Sequence, residues 1–276
     1  MTRICGVGDN VVDRYLETGL MYPGGSAVNV AVHARRLGAS AGYVGILGDD
    51  EAATHVLKSL LDEGVDVSRV RHEAHPNSFA DVTLDPDGNR VFGEFVPPVG
   101  RLELDEDDLA YLRGSDWLHT GHSSFTLSEV PTLGSLAPVV FDFSYKSLEW
   151  AAPVLPHVTA AFFSRGEADD EQCVALIEEV RALGPGLVVV TRGARGSVVW
   201  REGDVVHLEP AAPAAPIDTL GAGDAYLAAM LCALAEHRGL DVAAAEAAAY
   251  AATVCEHFGA FGHPVPIHQP TEEATR

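Results

Sequence analysis

The sequence predicts an α/β protein, with a largely parallel sheet covered on both faces by helices and a small antiparallel sheet grafted on as a lid. Three observations lead there. Short, near-continuous apolar runs alternate with longer helical patterns along almost the whole chain, as doubly buried strands and their crossover helices do. Two segments, 11–17 and 79–96, interrupt that alternation with extended patterns in which polar residues alternate. No repeat, low-complexity linker or compositional border divides the 276 residues, so 1–276 reads as one domain carrying inserted lid strands.

Taken in order, a strand over 3–7 opens the chain and the first lid segment follows it. A helix over 26–37 stops at Gly38, the next strand covers 43–47, and a helix over 51–63 is closed by Gly64. In the second lid segment Asp85-Pro-Asp-Gly88 makes a turn between strands at 82–84 and 90–95. Buried strands are expected at 117–119, 139–143, 160–163 and 187–191, with a helix over 167–183 ended by Gly184-Pro185. The Ala- and Pro-rich stretch 209–216 is a loop, leading to a long apolar helix over 222–236 and a last helix running through 251–260. Ligands in folds of this kind sit beyond the carboxyl ends of the strands.

Composition bounds the function. With 47% hydrophobic residues and a mean hydropathy of +0.09, the chain reads as soluble and globular. It contains no run of about 18 apolar residues, so no transmembrane helix is expected. The N-terminal residues lack a signal-peptide pattern, which points to a cytoplasmic protein. Forty Asp and Glu against 18 Lys and Arg give a net charge of −22, a field that opposes nucleic acid and anionic membrane surfaces as partners. Cys5, Cys173, Cys232 and Cys255 show no metal-binding spacing and read as buried apolar thiols. His119-Thr-Gly-His122 follows a strand with no third ligand nearby, so it reads as a pocket wall or satisfied pair rather than a metal site.

The chemistry concentrates in Asp218-Thr-Leu-Gly-Ala-Gly-Asp224, where a Gly-Ala-Gly turn runs straight into an apolar helix. Small residues admit a ligand to the backbone, and the free amides of a helix N-terminus suit a phosphate. Asp224 in that first turn has two readings, a helix-stabilising acid or a general base, and local sequence leaves both open. Near the N-terminus, Gly6-Val-Gly8 starts like a dinucleotide fingerprint, but the third glycine would fall at Val11 and no helix follows.

The 218–224 block resembles the C-terminal signature of the PfkB/ribokinase family of sugar and nucleoside kinases. Pro23-Gly-Gly-Ser-Ala-Val-Asn-Val-Ala31 is similar to its N-terminal signature, and Val190-Thr-Arg-Gly-Ala-Arg-Gly-Ser197 to its nucleotide-binding strand–turn–strand. The resemblance implies a ribokinase-like three-layer α/β/α sandwich with a small β-sheet lid, and a kinase using ATP with Mg²⁺. It implies Asp224 as the base and the amides of Gly221, Ala222 and Gly223 as the anion hole for the transferring phosphoryl group. On the sugar side it implies Asp13 and Asn29, with Asp9 and Gly25 in the same two motifs; carboxylates and amides suit a polyol. Thr191, Gly193 and Gly196 would approach the nucleotide, with Arg192 and Arg195 as nearby positive charge. Asp218 and Gly259 resemble the monovalent-cation site, for K⁺, of some members. The family usually has Asn-x-x-Glu after the strand ending at 163; here Ser164-Arg-Gly-Glu167 keeps only the acid, leaving Glu167 as the candidate metal residue or an ordinary helix-start acid.

Val7-Gly-Asp-Asn-Val-Val-Asp13, Arg90-Val-Phe-Gly-Glu94 and Phe141-Asp-Phe-Ser144 further resemble the fructoselysine-kinase subfamily, which phosphorylates a ketose joined to an amine. Arg90 and Glu94 then have two readings, an exposed hairpin pair or contacts to the charged amino-acid part of the substrate. The rival functions are the same transfer to a simple hexose, pentose or nucleoside, and a non-catalytic sugar-binding protein, for which the intact acid at 224 would be superfluous. A homodimer through the free edge of the lid is a further expectation.

Overall fold

The computed structural model describes residues 1–84, 90–98, 100–201, 204–208 and 217–267. The turn expected at 85–88 and the loop expected at 209–216 lie outside them. The first third of the chain forms β1 (Arg3–Gly8), β2 (Val11–Tyr15), β3 (Leu20–Gly24), α1 (Ser26–Arg36), β4 (Ser40–Leu47), α2 (Glu51–Asp62), β5 (Asp66–His72), β6 (Phe79–Leu84) and β7 (Arg90–Val96). Then come α3 (Glu106–Leu112), β8 (Trp117–Gly121), α4 (Val130–Leu136), β9 (Val139–Ser144), α5 (Leu148–Ala151), β10 (Ala160–Ser164) and α6 (Asp170–Arg181). The chain continues through β11 (Leu187–Thr191), β12 (Ser197–Arg201), β13 (Asp204–Leu208), α7 (Ala222–Ala235), α8 (Leu240–Val254) and β14 (Val265–Pro266).

The main sheet has the order β13-β12-β11-β10-β9-β8-β1-β4-β5 and is parallel from β5 to β11, with β12 and β13 antiparallel at one edge. Successive side chains of each central strand enter different layers. Phe141, Phe143, Phe163, Val188 and Val190 pack with α3 to α6, whereas Ile4, Val140, Phe162 and Val189 pack with α1, α7 and α8. That double burial is why these strands read as unbroken apolar runs, and it makes the predicted three-layer sandwich. The second sheet, β14-β3-β2-β6-β7, is the lid, with β2 and β6 parallel and the other pairs antiparallel.

The differences from expectation have local causes. Strand β5 was not expected because Asp66–His72 is polar and lies at the sheet edge, where no apolar run is required. Helix α6 begins at Asp170 rather than 167, because Asp169 accepts from Gln172 N and Gln172 reaches back to Asp169 N. Helix α8 stops at Val254 rather than 260. The carbonyl of Cys255 turns to accept from Ile217 N at 2.7 Å, and Gly259 bends the chain at φ +71°. Among the described residues no helix is long and apolar enough to cross a membrane.

Candidate active site

Helix α1 begins without a capping side chain of its own. Its N-cap residue is Gly25, at φ +105°, and a Cβ there would meet Asn10 Cα at 2.7 Å, so only glycine fits. The cap comes from Asp9, 17 residues upstream, whose carboxylate accepts from Ser26 N at 2.7 Å and Ala27 N at 3.2 Å. The same buried carboxylate accepts from Ser123 Oγ at 3.1 Å and Ser124 Oγ at 2.5 Å, in the loop after β8.

Helix α7 enters from the other side. Gly221 takes φ +75° with its Cβ position 2.6 Å from Ala260 Cβ, and no side chain caps the helix, so its first amides keep their pull on an anion. Asp224, in that first turn, accepts from Ser26 Oγ at 2.8 Å and Asn29 Nδ2 at 2.8 Å. Two residues about 195 positions apart, both expected at the site, are thus in contact. Between the two helix N-termini opens a cleft of about 300 Å³. Asp9, Asn10, Asp13, Asn29, Gly221 and Asp224 line its floor, and Ala80, Phe95 and Pro98 of the lid segment cover it. The Oδ1 atoms of Asn10 and Asn29 are buried without a hydrogen-bond partner, which leaves two acceptors for the hydroxyls of a ligand.

Ionisation in the cleft is set by burial. His119, fully buried in β8, places Nε2 2.9 Å from Ser26 Oγ and is lowered to about 4 by loss of water, so it is neutral. His122 is lowered for the same reason, with Lys146 adding to the effect. Asp142, within β9, is raised to about 7, first by burial and then by the charges of Asp224 and Asp9. A carboxyl raised by folding holds its proton more tightly in the folded chain. Its contribution therefore favours folding below the ordinary carboxyl range and turns against it as pH climbs towards 7. Asp142→Asn is expected to raise Tm over the parent at pH 8 and to match it near pH 4; parallel Tm curves across that range would refute the assignment.

Several expected residues lie elsewhere. In the lid, Asp13, Ala80 and Phe95 pair side by side and face the cleft. Arg14 and Asp81 point to the other face, joined by a 2.6 Å ion pair, and exposed Glu94 stands 3.9 Å from the Arg14 guanidinium. Glu94 thus belongs with Arg14 and not with the cleft floor, and the side chain of Arg90 lies outside what the structure describes. Thr191 ends β11, and Gly193 and Gly196 form the tight turn into β12, at the carboxyl edge of the sheet as expected. Arg192 is paired with Asp170 and is largely covered, while Arg195 donates to Gly166 O and lies 3.9 Å from Glu167. Glu167 is fully exposed before α6, so the reading as a helix-start acid falls with the later helix start. Asp218 and Gly259 do meet: the buried Asp218 carboxylate accepts from Gly259 N and Leu220 N at 2.9 Å and from the Tyr15 hydroxyl.

Ser26, Ser123, Ser124 and Tyr15 were not singled out as site residues, and His119, read as a pocket wall or satisfied histidine, was given no role. Ser26, beside the Gly-Gly turn, and His119, in its His-Thr-Gly-His run, carried a local signal; the rest meet the site through the tertiary fold.

The model of the pfkB family of carbohydrate kinases matches residues 6–267. The chain belongs to this family. Fructosamine kinase FrlD of Bacillus subtilis (strain 168) is 39% identical over 96% of this chain and 94% of that protein. Fructoselysine 6-kinase of Escherichia coli (strain K12) is 34% identical over 95% of this chain and all of the relative. Among solved structures, Arabidopsis thaliana ribokinase complexed with ribose and ATP superposes with a TM-score of 0.79 at 20% identity, covering 94% of each chain. In this PfkB kinase no group of three or more metal-ligating side chains occurs among the described residues. A hard divalent cation that keeps its waters and is held mainly by phosphates is compatible with such a site.

Proposed function

We propose that this kinase transfers the γ-phosphoryl group of ATP to a primary hydroxyl of an Amadori compound, a ketose carried on an amine, with fructoselysine as the representative acceptor. The observation that carries the reading is the position of Asp224, on the floor of a cleft lined by carboxylate and amide groups and in the first turn of the uncapped helix α7. An acceptor hydroxyl held by Asp13 and Asn29 lies within reach of that carboxylate, which takes its proton as the oxygen attacks. The amides of residues 221–223 meet the charge that develops on the transferring group, so the chain contributes mainly position and electrostatics. ATP brings the phosphoryl group together with a divalent cation, taken to be Mg²⁺, that neutralises its charge. The lid, through Phe95 and Pro98, keeps water away from the transfer.

The names of the two curated relatives support an amine-bearing ketose, and the second supports the 6-hydroxyl. The half-exposed Phe95 at the mouth is suited to cover the methylenes of an amine substituent. A K⁺ ion beside Asp218 would have to share a carboxylate that already accepts three hydrogen bonds. A coupled ADP-release assay over fructoselysine, fructose, ribose and a nucleoside tests the reading. The highest kcat/KM is expected on fructoselysine, by at least about tenfold, a margin of roughly 1.4 kcal/mol in transition-state binding. Equal turnover of free fructose would move the assignment to a simple hexose, and silence on the whole panel would favour a binding protein.

A further inference from the structure

We propose that His119 is a positioning residue which, acting through Ser26, holds the Asp224 carboxylate in the orientation that receives the acceptor's proton. The inference rests on the reading of Asp224 as the base. It starts from one hydrogen. Ser26 donates its only hydroxyl proton to Asp224 Oδ1 at 2.8 Å, so its 2.9 Å contact with His119 Nε2 has to be an N–H donated by the ring. The hydroxyl's single hydrogen favours the tautomer protonated at Nε2; Nδ1, on the side of the Val140 carbonyl, makes no hydrogen bond of ordinary geometry. Burial keeps the ring neutral even though the Asp9 charge and the Val140 carbonyl pull the other way. The donors therefore run in one direction, from His119 to Ser26 to Asp224, while Asn29 Nδ2 holds the second carboxylate oxygen.

Each link is rigidly mounted. His119 and Thr120 are fully buried in β8, and Ser26 opens α1 with its own amide held by Asp9. A serine hydroxyl without the histidine could rotate and donate elsewhere; with it, the rotor has one favoured setting. Among the described residues, the other carboxylates that share the cleft with Asp224 or couple to it are Asp9 and Asp13, from the β1–β2 segment, and Asp142, from β9. None of the substitutions below changes them.

The test is steady-state kinetics against pH, on whichever acceptor the enzyme turns over, for Ser26→Ala, Ser26→Thr, His119→Leu, His119→Gln and the double variant Ser26→Ala/His119→Leu, with Asp224→Asn alongside. Ser26→Ala and His119→Leu are each expected to lower kcat about tenfold, the loss of one hydrogen bond to a charged group, with KM for both substrates within about twofold. The acid limb of kcat should move to higher pH in both, because a carboxylate that loses a donor takes up its proton more readily. Ser26→Thr and His119→Gln, which keep a donor at each link, should recover most of the loss. The double variant should be no slower than Ser26→Ala alone, since the histidine acts through the hydroxyl. Additive losses, a defect in KM alone, or an unmoved acid limb would each overturn the proposal. Should His119→Leu not fold, the acid limb of Ser26→Ala and its recovery in Ser26→Thr decide the matter. Turnover by Asp224→Asn would remove the base itself. A silent Asp224→Asn beside unaffected Ser26 and His119 variants would remove only the positioning role.

Discussion

Asp224→Asn is expected to lower kcat by about a thousandfold or more while nucleotide still binds, the range lost when a positioned general base is removed. The substitution preserves shape and keeps the first turn of α7, whose backbone amides and not its side chains are assigned to the phosphates. It removes the one property a base needs, a lone pair on a charged oxygen aimed at the acceptor. An amide nitrogen at either carboxylate position also meets a donor, Ser26 Oγ or Asn29 Nδ2, where an acceptor stood. Calorimetric titration with ATP and a divalent cation, next to turnover under saturating substrate, separates the two effects. Near-normal turnover would mean that another group takes the proton, whereas lost nucleotide binding would mean that the helix terminus has moved.

The second large effect is expected on stability. Asp9→Ala removes the acceptor shared by Ser26 N, Ala27 N, Ser123 Oγ and Ser124 Oγ. A lost helix cap costs about 1–2 kcal/mol, and buried donors left unpaired add about 1–3 kcal/mol. The two hydroxyls can rotate to recover part of this, so a total of about 3 kcal/mol is expected, roughly 6–12 °C in Tm for a chain of this length. Asp9→Asn, which keeps one acceptor oxygen, should fall between. A Tm within about 1 °C of the parent in Asp9→Ala would show that water or a neighbouring group replaces the carboxylate, and that α1 needs no cap from this strand.

The contrast between Asp9 and Asp224 shows where sequence reasoning reached and where it stopped. The position of Asp224 in the first turn of α7 was legible because the Gly-Ala-Gly turn, the helix and the acid are contiguous, although the proposal that it is the base came from the family resemblance and not from local sequence. Asp9 was placed at the site through its motif, but its work as the cap of α1 was hidden. Caps are sought within three residues of a helix start, and this one crosses from the end of β1. The same limit hid His119, which reaches Ser26 across 93 positions. Among the strands, β9 to β11 were legible because burial on both faces forces apolar runs. By contrast polar β5, at the edge of the main sheet, and the five-residue β3, which ends in Pro23 and Gly24, carry no long apolar run and leave no such trace. Glu94 could not be assigned a face from sequence, because the register shift between Ala80 and Val82 intervenes between β6 and β7.

The bond between Tyr15 and Asp218 has a mechanical consequence. Tyr15 closes β2 in the lid, and Asp218 stands in the segment that turns into α7. A rocking lid must either drag that segment with it or pivot outboard of the tyrosine, on the side of β6 and β7. In the second case Asp13 stays registered to the floor while Phe95 swings, so the head of the acceptor is gauged by a fixed ruler and its tail by a movable flap. A lid hinged in that second way would be strict about the sugar beneath Asp13 and tolerant of the group that lies under Phe95.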